Sequence, residues 1–329
     1  MKTRFGLTAA VALAALAAGG CSIEKFAIRK AAGMLTGPGP SGTDVFSSDN
    51  DPELVGDALP FALKFYESLL AAVPDHEGLR LRTGSLYIMY ANAFLETRAD
   101  LLPRDRMEEK ETLRARAKNL YLRGRDMIMV SLERKNPILQ RQWRERLYAE
   151  AVAPFAPKDV PLLYWAAAGW VAAYAIDPMD MELAVSLPRA EALMNRVLEL
   201  DPGYSGGAVH TFFILYYGSL PDYMGGDTEK AREHFRLAVA ASGGRDVSAF
   251  LALASTVSLK EQNVGEFRSL LEKVLAVDPD ADPGSRLATV LSQRKARRLL
   301  EHIDDYFLIN DRAPGQYFEA PPGRPGGTS

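Results

Sequence analysis

The chain has 329 residues, 47% of them apolar and 25% charged, with a net charge of −3 and a single cysteine. That length and apolar content suffice for one large core or a long repeat array. The mild acidity excludes a strong polyanion-binding footprint, so no nucleic-acid partner is expected, and one thiol excludes a disulfide framework.

The N-terminus carries Lys2 and Arg4, then an apolar run from residue 7 to 20, then Cys21. A basic start, an apolar stretch too short to span a bilayer and small residues before a cleavage point describe an export signal. Ala18, Gly19, Gly20 and Cys21 further resemble a bacterial lipobox, with Ala18 in place of the usual leucine. On this reading residues 1–20 are removed and Cys21 is acylated as the mature N-terminus. An ordinary secretory signal with a chance cysteine is the competing reading. Ser22 is not the aspartate that retains lipoproteins in the inner membrane. The expected location is therefore the periplasm, on the periplasmic face of the outer membrane.

Residues 21–46, with the Gly/Pro stretch at 36–42, read as a lipidated cysteine and flexible tether. Asp49, Asn50, Asp51, Pro52 and Glu53 predict a capped helix start rather than a calcium loop, which needs more length and a glycine. Residues 47–310 then carry helical periodicity with few alternating segments, predicting an all-α body. Residues 161–176 hold no charge and contain small pairs suited to close helix packing, so they predict a buried helix. The tail, 311–329, is rich in proline and glycine and has no means to build a core.

Four segments share one template, with apolar or small residues at i, i+3, i+4, i+7 and i+8 and a helix stopper at i+12. They start at Ala62, Ala190, Ala231 and Phe267 and stop at Pro74, Pro202, Gly243 and Pro279; His234 is the one polar exception. The spacing matches the second helix of a tetratricopeptide (TPR) repeat, which predicts a TPR-like α-solenoid. No catalytic constellation accompanies it. The four histidines, His76, His210, His234 and His302, lack metal-ligand spacing, and no nucleophile elbow is present. The segment Gly225, Gly226, Asp227 reads as a turn and N-cap, and Arg294, Lys295, Arg297 and Arg298 as a solvated face paired with acids on the same helix. Neither an enzyme nor a cofactor is expected.

Several stretches, taken in order, resemble one family: SDNDPEL at 48–54, ALPFALK at 58–64, MYANAF at 89–94, YLRGRD at 121–126, GGAVH at 206–210 with Tyr216 and Tyr217, KAREHF at 230–235, and DDYF at 304–307. Together they look like the T-component (TatT) family of tripartite ATP-independent periplasmic (TRAP) transporters. Residues 240–244 and 247–250 depart from the family pattern. The resemblance implies a periplasmic lipoprotein of TPR-like helices, a homotrimer with a pore through each protomer. It also implies a periplasmic solute-binding P-component as partner and a small hydrophobic ligand. Tyr87, Tyr90 and Phe94 share one helix face and, with Asn92, Trp165, Trp170, His210 and Tyr216, are the candidate pore-lining residues; core packing is the competing reading for each. The alternative function is a TPR-like lipoprotein scaffold for cell-envelope protein assembly.

Overall fold

Side-chain caps open several of the helices. Asp51 accepts a hydrogen bond from the Leu54 N–H (3.1 Å), Asp180 from Leu183 (3.1 Å), Asp227 from Lys230 (3.0 Å) and Asn263 from Glu266 (3.0 Å). The acidic segment before Pro52 and the Gly225–Gly226–Asp227 turn are thus helix starts, as their sequences require. Gly225 takes a left-handed φ of 96°, which a side chain would oppose.

The computed structural model describes residues 44–308, together with Arg29, Lys30 and Gly33. Cys21, the signal peptide, most of the tether and the tail lie outside the described residues. The helices run α1 (Pro52–Ala72), α2 (Glu77–Tyr90), α3 (Thr97–Leu101), α4 (Met107–Lys135), α5 (Leu139–Arg144), α6 (Tyr148–Val152) and α7 (Val160–Ile176). They continue with α8 (Met181–Leu200), α9 (Tyr204–Ser219), α10 (Thr228–Ser242), α11 (Val247–Leu253), α12 (Val264–Ala276) and α13 (Arg286–Glu301). Two π-helical segments interrupt this order: Ala91–Glu96 joins α2 to α3, and Ala254–Ser258 follows α11. The described residues are all-helical, without strands.

The four template segments are α1, α8, α10 and α12, and each ends just before its stopper. Leu193, Met194, Val197, Phe267, Leu271 and Val274 are fully buried. The first copy departs from the template. In α1 the buried face is Val55, Leu59, Leu63, Tyr66 and Leu70, and Phe65 turns outward to stack on the exposed Phe61 at 6.3 Å.

Successive long helices pack as neighbours, with α4 between α2 and α7, and α8 against α7. Glycine sets that central contact. A Cβ on Gly124 of α4 would lie 2.5 Å from the Gly84 carbonyl oxygen of α2, and one on Gly169 of α7 would lie 2.8 Å from Ile88. α7 is a buried helix, and no helix of the described residues is long and apolar enough to cross a membrane.

The chain closes on itself. Leu287 of α13 packs in the same cluster as Val55 and Leu59 of α1, and its N–H donates to the Ser47 carbonyl at 3.0 Å. Arg286 donates to the Ser48 carbonyl (3.0 Å) and Arg294 to Glu53 (3.1 Å). Lys295 pairs with Asp100 of α3 at 2.7 Å. Within the basic run, Arg294 and Lys295 therefore pair with distant helices rather than with acids on their own helix; just past its end, His302 lies 3.7 Å from Asp305.

Candidate ligand cavity

Where the first and last helices meet, they leave a cavity of about 540 Å³. Its wall draws on α1, α2, α7, α9, α11 and α13, and on both π-helical segments. A π segment inserts a residue into the helical repeat and pushes side chains out of register, a device frequent at functional sites. In the first, the Thr97 N–H bonds to the Asn92 carbonyl five residues back, and the Thr97 hydroxyl donates to the same carbonyl at 2.9 Å. This presents Asn92, Ala93, Phe94 and Glu96 to the cavity. In the second, Ser255 lines the cavity while its hydroxyl donates to the Leu251 carbonyl at 2.8 Å. Gly56 on α1 makes room for the Phe94 ring, which a Cβ there would meet at 2.8 Å.

The wall is mostly apolar: Leu59, Met89, Phe94, Trp165, Leu215, Leu251 and Leu291 face it, relieved by single hydroxyls such as Thr211 and Ser255. Two charged sets interrupt it. Arg82 pairs with Asp44, the first residue of the continuous described stretch. Lys295 bonds Asp100, which also takes Arg114 at 3.3 Å. Burial opposes the Asp100 carboxylate, but Lys295 and Arg114 outweigh it and hold its pKa below the ordinary value. Burial likewise works against the Lys295 ammonium, and Asp100 and Glu96 more than offset it. Glu96 accepts the Tyr121 hydroxyl, and the Asn92 amide approaches it at 3.5 Å. The charged lining is internally paired, so no net charge is left for a ligand to neutralise.

The candidate residues named from sequence divide. Asn92, Phe94 and Trp165 line the cavity. Tyr90 packs on Phe94 at 5.7 Å, behind the wall. Tyr87 is buried beneath the Arg123 guanidinium, 4.8 Å above its ring, and burial and Glu67 push its hydroxyl pKa up. Trp170 belongs to a second pocket on the other side of α7. Tyr216 is buried and donates to Glu191 at 3.2 Å. His210 is buried, with its Nδ1 3.0 Å from Nδ1 of His234. Lys295, which the sequence places on a solvated face, and Ala93 of the 89–94 stretch also line the cavity, as do Leu251, Ala252 and Ser255, which the sequence does not point to. Their one signal is weak: small and hydroxyl residues in an otherwise apolar helix from 247 to 258.

A model of the TRAP transporter T-component family matches residues 48–307, almost the entire described body. The chain belongs to the TRAP transporter T-component family. The T-component's similarity extends to an uncharacterized protein of Treponema pallidum (strain Nichols), 34% identical over 304 residues, 88% of this chain and 94% of the relative. As a T-component the protein is a transport accessory of the cell envelope, in a family that is not an enzyme family. The family match starts at Ser48 and ends at Phe307, so it takes in both the first and the last helices whose meeting forms the cavity.

Proposed function

We propose that this T-component is a lipid-anchored periplasmic auxiliary of a TRAP solute-uptake system. It holds or passes a small, largely apolar ligand in the cavity and works through a P-component rather than by catalysis. The observation that carries this reading is the convergence of two π-helical segments on one apolar-walled cavity between the first and last helices. About 540 Å³ lies in the range that accommodates a small organic molecule. A mostly apolar wall with a few hydroxyls suits a hydrophobic solute whose one or two polar atoms need partners.

On this reading the helix pairs are TPR-like units wound into a closed turn, and the protein assembles as a homotrimer. Cys21 carries the acyl chains, and the Gly/Pro tether lets the body reorient to meet its partner. Cys21→Ser releases the protein from membranes or leaves an unprocessed precursor, read by fractionation and by the mass of the N-terminal peptide; a mature chain starting elsewhere overturns the anchor.

Ala91, adjacent to the π segment's cavity residues, is fully buried in the core, whereas Ala93 faces the cavity. Ala93→Trp is therefore the substitution that fills it. With the cognate P-component, Ala93→Trp abolishes ligand transfer and leaves the pull-down intact. Failure of the wild-type protein to capture a P-component overturns the reading in favour of an envelope-assembly scaffold.

A further inference from the structure

A second pocket, of about 680 Å³, lies between α4, α5 and α8 on the far side of α7, and shares no lining residue with the first. Its floor is a stack of alternating cations and indoles. The Arg125 guanidinium sits 4.6 Å above the Trp170 ring, and Arg189 sits 5.4 Å from Trp143 and 6.0 Å from Trp170. The two indoles meet edge to face at 5.7 Å. Trp170 is fixed in the plane by its indole N–H, which donates to the Ser186 hydroxyl at 2.8 Å; that hydroxyl in turn donates to the Leu183 carbonyl at 2.8 Å. The floor is built before any ligand arrives.

The two arginines differ in their partners. Arg125 donates to Asp126 at 2.8 Å. Among the described residues Arg189 makes no hydrogen bond or ion pair, and its Nε is buried without an acceptor. Three of the four acidic groups in the lining have partners, and the fourth, Glu182, lies seven residues before Arg189 on α8 with none among the described residues. Asp180 binds Lys118 at 2.8 Å, Asp126 binds Arg125, and Glu133 accepts from Gln140 at 2.6 Å. A guanidinium stacked by its face on indoles keeps its N–H edge free, and that edge matches a carboxylate with two parallel hydrogen bonds. Leu183, Met129 and Val130 supply an apolar wall beside it.

We infer that this pocket is a second, independent binding site, for a small organic carboxylate whose anionic end is held by Arg189 and whose short apolar body lies against Leu183, Met129 and Val130. The inference goes beyond the cavity reading and stands or falls separately from it.

The chain's three tryptophans, Trp143, Trp165 and Trp170, make the test direct, since two line this pocket and Trp165 lines the other. Indole N–H spectra of the ¹⁵N-labelled protein are recorded during titration with hexanoate and, in parallel, with uncharged hexanamide. Hexanoate shifts the Trp143 and Trp170 signals saturably and leaves Trp165 in place, while hexanamide binds at least about tenfold more weakly. Arg189→Gln, with the wild-type melting profile as the folding control, loses affinity by a similar factor. No saturable shift, equal shifts by hexanamide, or a response confined to Trp165 overturns the proposal. So does a shift of the same two signals on protein dilution alone, which assigns the face to a second copy of the chain.

Discussion

Two imidazole nitrogens 3.0 Å apart, as in His210 and His234, accommodate one hydrogen between them. A second proton would set like charges face to face between the aromatic rings of Phe213 and Tyr217. Burial first, and His210 second, lower the His234 pKa from its ordinary value to about 4. The unfolded chain therefore binds a proton that the folded one refuses, so this pair's contribution to stability is intact above about pH 6.5 and is lost as pH falls toward about 4. His234→Phe, which keeps the ring stack, flattens the fall in melting temperature between pH 7 and pH 5; an unchanged slope contradicts the assignment. The sequence marks His234 as the polar oddity of its template, but its partner His210 lies on another helix, and the pairing is visible only once α9 and α10 meet.

At the scale of helices, two kinds of residue carry the packing. Leu271 and Met194 occupy fully buried template positions, so truncating either to alanine costs about 2–5 kcal/mol, measured by urea denaturation. Gly124 acts by absence. Gly124→Ala drives a methyl into the Gly84 carbonyl and Ile88, so it costs about 1–3 kcal/mol and loosens the α2–α4 contact. Alanine is otherwise the better helix former, and a stabilised Gly124→Ala protein would refute the close approach. The helices, their caps and their stoppers were legible because each depends on residues within one or two turns. The α1 face was read one position out of phase: Phe65 fits an ideal template, yet the surface that meets α2 and α13 is the one through Leu59, Leu63 and Tyr66. The π segments escaped sequence reading for the same reason, since neither Ala91–Glu96 nor Ala254–Ser258 carries a breaker and the tertiary contacts decide their register.

For the whole molecule, closure of the chain is what makes a cavity, and closure rests on contacts between residues far apart in sequence, such as Arg294 with Glu53 and Lys295 with Asp100. A run of arginines and lysines gives no hint of such partners, which is why α13 reads as a plain solvated face. Aromatic spacing placed Phe94 and Asn92 near the site through a shared helix, whereas Trp170 and Tyr216 have the same composition signal and point elsewhere. The central claim, that the cavity is a ligand chamber, is tested most directly by native mass spectrometry of the protein purified from envelopes. The wild-type chain should carry a small apolar molecule at one per protomer, and Ala93→Trp and Ser255→Trp should each lose it while keeping the wild-type melting temperature. A wild-type protein that carries nothing, or a molecule retained equally by both filled variants, would contradict the account.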